Sequence, residues 1–165
     1  MPTLPAEVLA KARARRLTVA TAESLTGGLV AAALTSVPGA SDVFVGGVVA
    51  YSPGAKQDVL GVAAATLAMY GPVSEETALA MAEAARQLLG SDLAVATTGA
   101  AGPGPHGGRD PGTFCVAVVG PFGSLALTVV APGDRDAVRA EAVNRAIQAL
   151  CEVLDSATWA GTSVE

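Results

Sequence analysis

Three side chains in this sequence have the means for nucleophilic chemistry: Ser24, Lys56 and Tyr51. Ser24 lies in Thr21-Ala22-Glu23-Ser24-Leu25-Thr26-Gly27-Gly28, between a short β-branched run and an apolar run that reaches Leu34. A serine hydroxyl is a poor nucleophile until a neighbouring base takes its proton. The single histidine, His106, sits in a Gly/Pro-rich loop, which makes a Ser-His-Asp triad possible but unattractive. Lys56, the only lysine besides Lys11, offers a different base. A lysine withdrawn from water or set beside another cation loses its proton near neutrality, and serine paired with lysine is a variant of the triad. Tyr51, just before Ser52-Pro53, could hold the lysine or relay a proton. Each residue also has a plain structural reading: Ser24 as a helix N-cap, Lys56 as a solvated surface charge, Tyr51 as a strand-end aromatic over the core.

The elements that must position these groups follow from the pattern of the chain. Leu17 to Ala22 is an almost wholly apolar strand, so it belongs in a sheet covered on both faces. A helix is expected from about Ser24 to Thr35, aiming its unpaired N–H groups and positive dipole end at whatever binds. Val43 to Tyr51 is the second strand, with Gly46-Gly47 marking a bulge or a close backbone approach. Short helices are expected at Pro53 to Leu60 and Ala63 to Met69. Ser74 caps a longer one that ends at Gly90. Asp92 to Thr97 is the third strand, leading into Thr98-Gly99-Ala100-Ala101-Gly102-Pro103. The Gly/Pro loop from Gly99 to Gly112 is long enough to be a lid or pocket wall. Thr113 to Val119 and Ser124 to Val130 form a hairpin. Helices at Pro5 to Arg16 and from Arg135 to about Leu154 flank the rest, and the polar tail from Ser156 to Glu165 is expected to fray.

Strand–helix–strand units of this kind predict an α/β fold, a three-layer α/β/α arrangement around a mostly parallel five-stranded mixed sheet with one antiparallel hairpin strand. In such sheets ligands bind at the carboxyl ends of the strands. Glu23–Gly28, Tyr51–Lys56 and Thr98–Gly104 follow three separate strand ends and are expected to converge on one cleft. Backbone N–H groups around Thr26-Gly27-Gly28, or at Thr98-Gly99, could stabilise an oxyanion there. Arg135 and Arg139, near a helix start, could clamp a phosphate or form an exposed charge ladder.

Composition bounds the alternatives. At 165 residues the chain is expected to be a single domain, with a core of about residues 5–155. Only 15% of residues are charged and 51% are hydrophobic, which excludes disorder for most of the chain. A net charge of −5 argues against nucleic acid as a partner. The basic cluster of Lys11, Arg13, Arg15 and Arg16 reads as the polar face of the first helix. Cys115 and Cys151 lack metal-ligand spacing, and Cys115 reads as a buried thiol. There is no P-loop, GxGxxG after a strand, HExxH or CxxC, so no cofactor or metal is implied. With no signal pattern and no apolar run of membrane-spanning length, a cytoplasmic protein without membrane contacts is the expectation.

The motifs Thr21–Gly28, Tyr51-Ser52-Pro53-Gly54-Ala55-Lys56, Gly61-Val62, Gly71-Pro72-Val73-Ser74, Thr98–Pro103 and Gly133-Asp134-Arg135 occur together and in this order. In combination they resemble the CinA C-terminal domain family, over about Pro5 to Leu154. Active members of that family are nicotinamide mononucleotide deamidases. The resemblance implies hydrolysis of nicotinamide mononucleotide to nicotinic acid mononucleotide and ammonia, a step of pyridine nucleotide salvage. It implies Ser24 as nucleophile, Lys56 as its base and Tyr51 assisting. Thr26, Gly27, Gly28, Thr98 and Gly99 would line the pocket, and Arg139 would bind the phosphate. The resemblance and the length together lead to the expectation of this domain alone, without the molybdopterin-binding-like domain of fused members. It departs from the family at Arg109-Asp110-Pro111-Gly112-Thr113, where a hydrophobic residue between Pro and Gly-Thr is missing and the Gly104–Gly112 loop is short. A homo-oligomer, dimer or higher, is the expected assembly. Two other functions share this fold: a non-catalytic nucleotide-binding module of the competence-damage-inducible type, and a general Ser–Lys amidase acting on another carboxamide.

Overall fold

The computed structural model describes Met1 and residues 3–156; the tail expected to fray lies outside them from residue 157 onward. The chain runs α1 (Leu4–Ala14), β1 (Val19–Glu23), α2 (Leu29–Thr35), β2 (Phe44–Val49), α3 (Pro53–Asp58), α4 (Ala64–Tyr70), α5 (Glu75–Leu89), β3 (Leu93–Gly99), β4 (Thr113–Gly120), β5 (Gly123–Val130) and α6 (Arg135–Asp155). The five strands form one sheet in the order β2-β1-β3-β4-β5. β1 is parallel to both β2 and β3, and β4 is antiparallel to both β3 and β5, so β4 alone opposes the others. This is the mixed sheet that the hairpin predicts.

The two faces of the sheet are built from different side chains. Val19, Leu93, Val95, Phe114, Val116 and Val118 point to the side covered by α1, α2 and α6. Ala20, Ala22, Ala94 and Ala96 point to the other side, against Met81, Ala82 and Ala85 of α5. Small residues on that face let one helix lie close across three strands, which substitutes for the aromatic bulk this sequence lacks. Among the described residues no helix is long and apolar enough to cross a membrane.

Caps follow the local sequence. Ser52 accepts a hydrogen bond from Ala55 N–H, Ser74 from Thr77 N–H and Asp134 from Ala137 N–H, each closing the first turn of its helix. Gly90 ends α5 in a left-handed conformation. The expected irregularity in β2 is present, with the register against β1 slipping between Phe44 and Gly46. Gly47 lies opposite Thr21, and a Cβ there would stand 2.2 Å from Thr21 Oγ1. That hydroxyl is itself buried without a hydrogen-bond partner. Gly47→Ala is therefore expected to destabilise the protein by about 3 kcal/mol through overpacking. Adding Thr21→Ala should recover most of the loss in a double-mutant cycle read by urea unfolding; simple additivity would place the clash elsewhere.

The polypeptide after β3 leaves the sheet and returns through a tightly bonded stem. Ala100 N–H donates to Thr113 O at 2.8 Å and Gly112 N–H to Ala100 O at 2.8 Å, while Ala131 N–H donates to Gly112 O at 3.0 Å. Within the loop, His106 and Arg109 exchange backbone hydrogen bonds, and Arg109 Nε donates to Val73 O.

Candidate active site

α2 begins at Leu29, not at Ser24, and the reason is Glu23. This carboxylate is buried at the end of β1. Its Oε2 accepts from Thr26 Oγ1 (2.7 Å), Gly28 N–H (2.9 Å) and Val30 N–H (3.0 Å), and its Oε1 from Ala31 N–H (2.8 Å). The helix terminus expected to face a ligand is thus occupied by the protein's own anion. Ser24 is released from capping and stands in the turn between strand and helix. Thr26 Oγ1 also meets Thr97 Oγ1 at 2.7 Å; since the Thr26 proton goes to Glu23, Thr97 is the donor. Gly27 N–H donates to Ser24 O. The Gly27 and Gly28 amides are therefore committed within the turn and are not available to an oxyanion.

Lys56 enters from the other side. The Ser52 cap and the Lys56 N–H bond to Ser52 O fix the first turn of α3 directly after β2. The Lys56 side chain is fully buried. Its Nζ donates to Ser24 Oγ at 2.8 Å and to Ala50 O at 3.2 Å. Among the described residues no carboxylate pairs with it. Burial without a countercharge penalises the ammonium and brings its pKa down to about 8. In its neutral form, an amine in contact with a serine oxygen is placed to accept that hydroxyl's proton. A serine hydroxyl in contact with a buried amine is the arrangement that Ser–Lys chemistry would require.

Ser24 opens on a cavity of about 150 Å³ whose walls include Leu25, Tyr51, Gly99, Gly102, His106 and Arg135. The three segments expected to converge, those after β1, β2 and β3, each contribute to this wall. Gly99 is required by close approach: a Cβ would stand 2.5 Å from Phe114 Cβ and 2.8 Å from Leu25 Cδ1. Thr98 is turned away, its hydroxyl donating to Pro72 O at 2.6 Å. Tyr51 is 55% exposed at the cavity mouth, and its hydroxyl accepts from Arg135 Nη2. No hydrogen bond joins Tyr51 to Lys56. His106 lines the cavity but is not bonded to Ser24, so the structure assembles no histidine triad.

The two arginines of the last helix separate. Arg135 lines the cavity and also donates to Gly102 O at 2.9 Å. Arg139, one turn on, does not reach the cavity. Its Nε donates to Leu25 O at 2.9 Å and its Nη2 to Thr26 O at 3.3 Å. Arg135 is the cationic group that sequence reasoning passed over in favour of Arg139. The signal for it was its place in Gly133-Asp134-Arg135, at the very start of a capped helix.

Residues 2–154 match the CinA C-terminal domain. A CinA-like protein of Anaeromyxobacter dehalogenans is 49% identical over 148 residues, which cover 89% of this chain and 36% of that protein. A CinA-like protein of Frankia casuarinae is 45% identical over 140 residues, 85% of this chain and 32% of that protein. The chain spans about a third of the length of these curated relatives. A CinA superfamily crystal structure from Klebsiella pneumoniae superposes with a TM-score of 0.88 at 38% identity, covering 92% of this chain and 95% of that one. The competence/damage inducible protein CihA of Agrobacterium tumefaciens superposes with a TM-score of 0.81 at 36% identity, covering 94% and 100%. Sequence match, fold and the placement of its motifs around one cleft agree: the chain belongs to the CinA C-terminal domain family.

Proposed function

We propose that this domain hydrolyses the carboxamide of nicotinamide mononucleotide, giving nicotinic acid mononucleotide and ammonia. The observation that carries the reading is the buried Lys56 amine in contact with Ser24 Oγ at the floor of a cavity. Ser24 Oγ attacks the carboxamide carbon while its proton passes to Lys56 Nζ. The tetrahedral intermediate collapses, the C–N bond breaks, and Lys56 returns the proton to the departing ammonia. Water, deprotonated by the same amine, then attacks the Ser24 ester, releasing the carboxylate and restoring the hydroxyl.

The cavity, of about 150 Å³, is on the scale of an aromatic carboxamide ring rather than a whole nucleotide. The phosphoribosyl part would therefore extend through the mouth, past Tyr51. Arg135 supports an anionic substrate, because it is the permanently charged side chain among those that line the cavity. Tyr51, bonded to Arg135, orients that guanidinium and covers the ring.

The test is ammonia release from nicotinamide mononucleotide by the purified protein, with Ser24→Ala as the paired control. Release in the parent and none above background in a folded Ser24→Ala protein is the expected result. Equal release by both would remove Ser24 from the mechanism. Binding of the mononucleotide without release would favour the non-catalytic module. Release from other carboxamides alone would favour a general amidase.

A further inference from the structure

The stretch from Gly104 to Gly112 carries one guanidinium, that of Arg109, and the Ser–Lys mechanism makes no use of it. His106 N–H donates to Arg109 O and Arg109 N–H to His106 O, both at 3.0 Å, so the two residues close a tight turn. Its central residues, Gly107 and Gly108, have φ of +57° and +74°, the left-handed pair that a type I′ turn requires. His106, at the start of this turn, lines the cavity together with Ser24, Gly102 and Gly104.

Arg109 ties the turn to a platform, the connection from Gly71 to Val73 between α4 and α5. Every carbonyl of that connection is held by a side chain. Gly71 O accepts from Ser74 Oγ (3.2 Å) and Thr77 Oγ1 (2.7 Å), and Pro72 O from Thr98 Oγ1 (2.6 Å). Val73 O accepts from Arg109 Nε at 3.2 Å. Val73 is itself buried, so the platform is rooted in the core. Gly107 packs on the same connection, where a Cβ would stand 2.6 Å from Pro72 Cγ. The stem at Ala100 and Gly112 and the Arg135 bond to Gly102 O fix the base of the segment, and Arg109 fixes its tip.

We propose that Arg109 is a positioning residue for substrate binding: it docks the His106–Arg109 turn on the α4–α5 connection and so keeps that wall of the cavity in its binding shape. A solvent-exposed turn docks by a narrow margin. A site that is competent only while its wall is docked binds more weakly in proportion to the undocked fraction. Ser24 and Lys56 are held by other elements, and bound substrate has already redocked the turn, so the chemical step is unaffected. This rests on the Ser–Lys reading of the cavity but not on the identity of the amide, so a neutral probe of Ser24 is used beside the mononucleotide. Phenylmethanesulfonyl fluoride sulfonylates an activated serine: the Oγ–S bond forms, fluoride leaves with the S–F electron pair, and the serine proton goes to Lys56.

The experiment compares the parent with Arg109→Met, Arg109→Lys and Gly107→Ala. It measures amide exchange between residues 101 and 111, hydrolysis of nicotinamide mononucleotide, and labelling of Ser24 by intact mass across a range of inhibitor concentrations. In Arg109→Met, exchange at residues 106–109 should rise about tenfold, and KM and the half-saturating inhibitor concentration about fivefold. Its kcat and maximal labelling rate should stay within about twofold of the parent. Gly107→Ala undocks the turn through Pro72 without changing charge and should behave alike, whereas Arg109→Lys retains a donor and should fall between. Exchange at the parent rate in Arg109→Met overturns the proposal. So does faster exchange with both binding constants unchanged, or a larger fall in kcat or maximal labelling. A raised KM with an unchanged inhibitor constant also overturns it, and makes Arg109 an electrostatic contact of the anionic substrate. A raised inhibitor constant with no hydrolysis of the mononucleotide by any form supports the role of Arg109 and discards the substrate. No labelling of the parent removes the Ser–Lys reading and this proposal with it.

Discussion

Lys56→Met is expected to reduce amide hydrolysis at least about a thousandfold while making the protein more stable at neutral pH. The two effects share one cause. The native pKa of about 8 lies below the ordinary 10.5, so between these values the unfolded chain binds more protons than the folded one. Folding therefore carries a penalty from this group that is fully present below about pH 8 and disappears as pH rises toward 10.5. The difference of about 2.5 units corresponds to roughly 3 kcal/mol. Methionine removes the charge at similar volume but leaves Ala50 O without its donor, so a net gain of about 2 kcal/mol at pH 7 is expected. Urea unfolding of the two proteins at pH 7 and pH 10 checks this, and the advantage of the variant should shrink at the higher pH. In the parent, kcat/KM should rise tenfold per pH unit below about 8 and level off above it. A variant less stable at pH 7 would mean that the ammonium is better solvated than its full burial implies.

Glu23→Ala is expected to be the costliest single change in stability, at about 4 kcal/mol. It removes both acceptor oxygens and leaves the Thr26 hydroxyl and the amides of Gly28, Val30 and Ala31 without their partner. Each unsatisfied buried donor costs roughly 1–3 kcal/mol, and the Gly28 and Ala31 amides, only partly buried, recover some of this by binding water. Glu23→Gln retains one carbonyl oxygen, enough for the three donors on Oε2, and should lose about half as much. The comparison of midpoints in urea is the measurement. Equal losses for the two variants would show that charge, rather than acceptor count, is what the turn requires.

The order of strands and helices was legible because its punctuation is local: Ser52, Ser74 and Asp134 cap the helices they precede, and Gly90 closes the one before β3. The start of α2 was not. An acidic residue beside a serine reads as solvated, and nothing in the spacing says that Glu23 folds back on amides up to eight positions later. The sheet's division into a bulky and a small face is written in Val19-Ala20-Thr21-Ala22 and Leu93-Ala94-Val95-Ala96, but alanine and valine are both apolar, so a polar/apolar pattern does not separate them. Lys56 read equally as a base or a surface charge, since burial of a cation depends on tertiary packing. Arg135 and Arg139 are separated by about 6 Å along one helix, and which of them meets the cavity depends on how far that helix overhangs the strand ends.

The bonded stem formed by Ala100, Gly112, Thr113 and Ala131 has a consequence for how such a site can diversify. Both ends of the segment between residues 101 and 111 are pinned where they leave the sheet, so its length and composition are mechanically decoupled from strand register. That segment supplies Ala101, Gly102, Gly104 and His106 to the cavity wall, while Ser24 follows β1 and Lys56 lies in α3. It has the build of an exchangeable cassette, in which residues can be lost or replaced to reshape what the cavity admits without disturbing the Ser24–Lys56 contact.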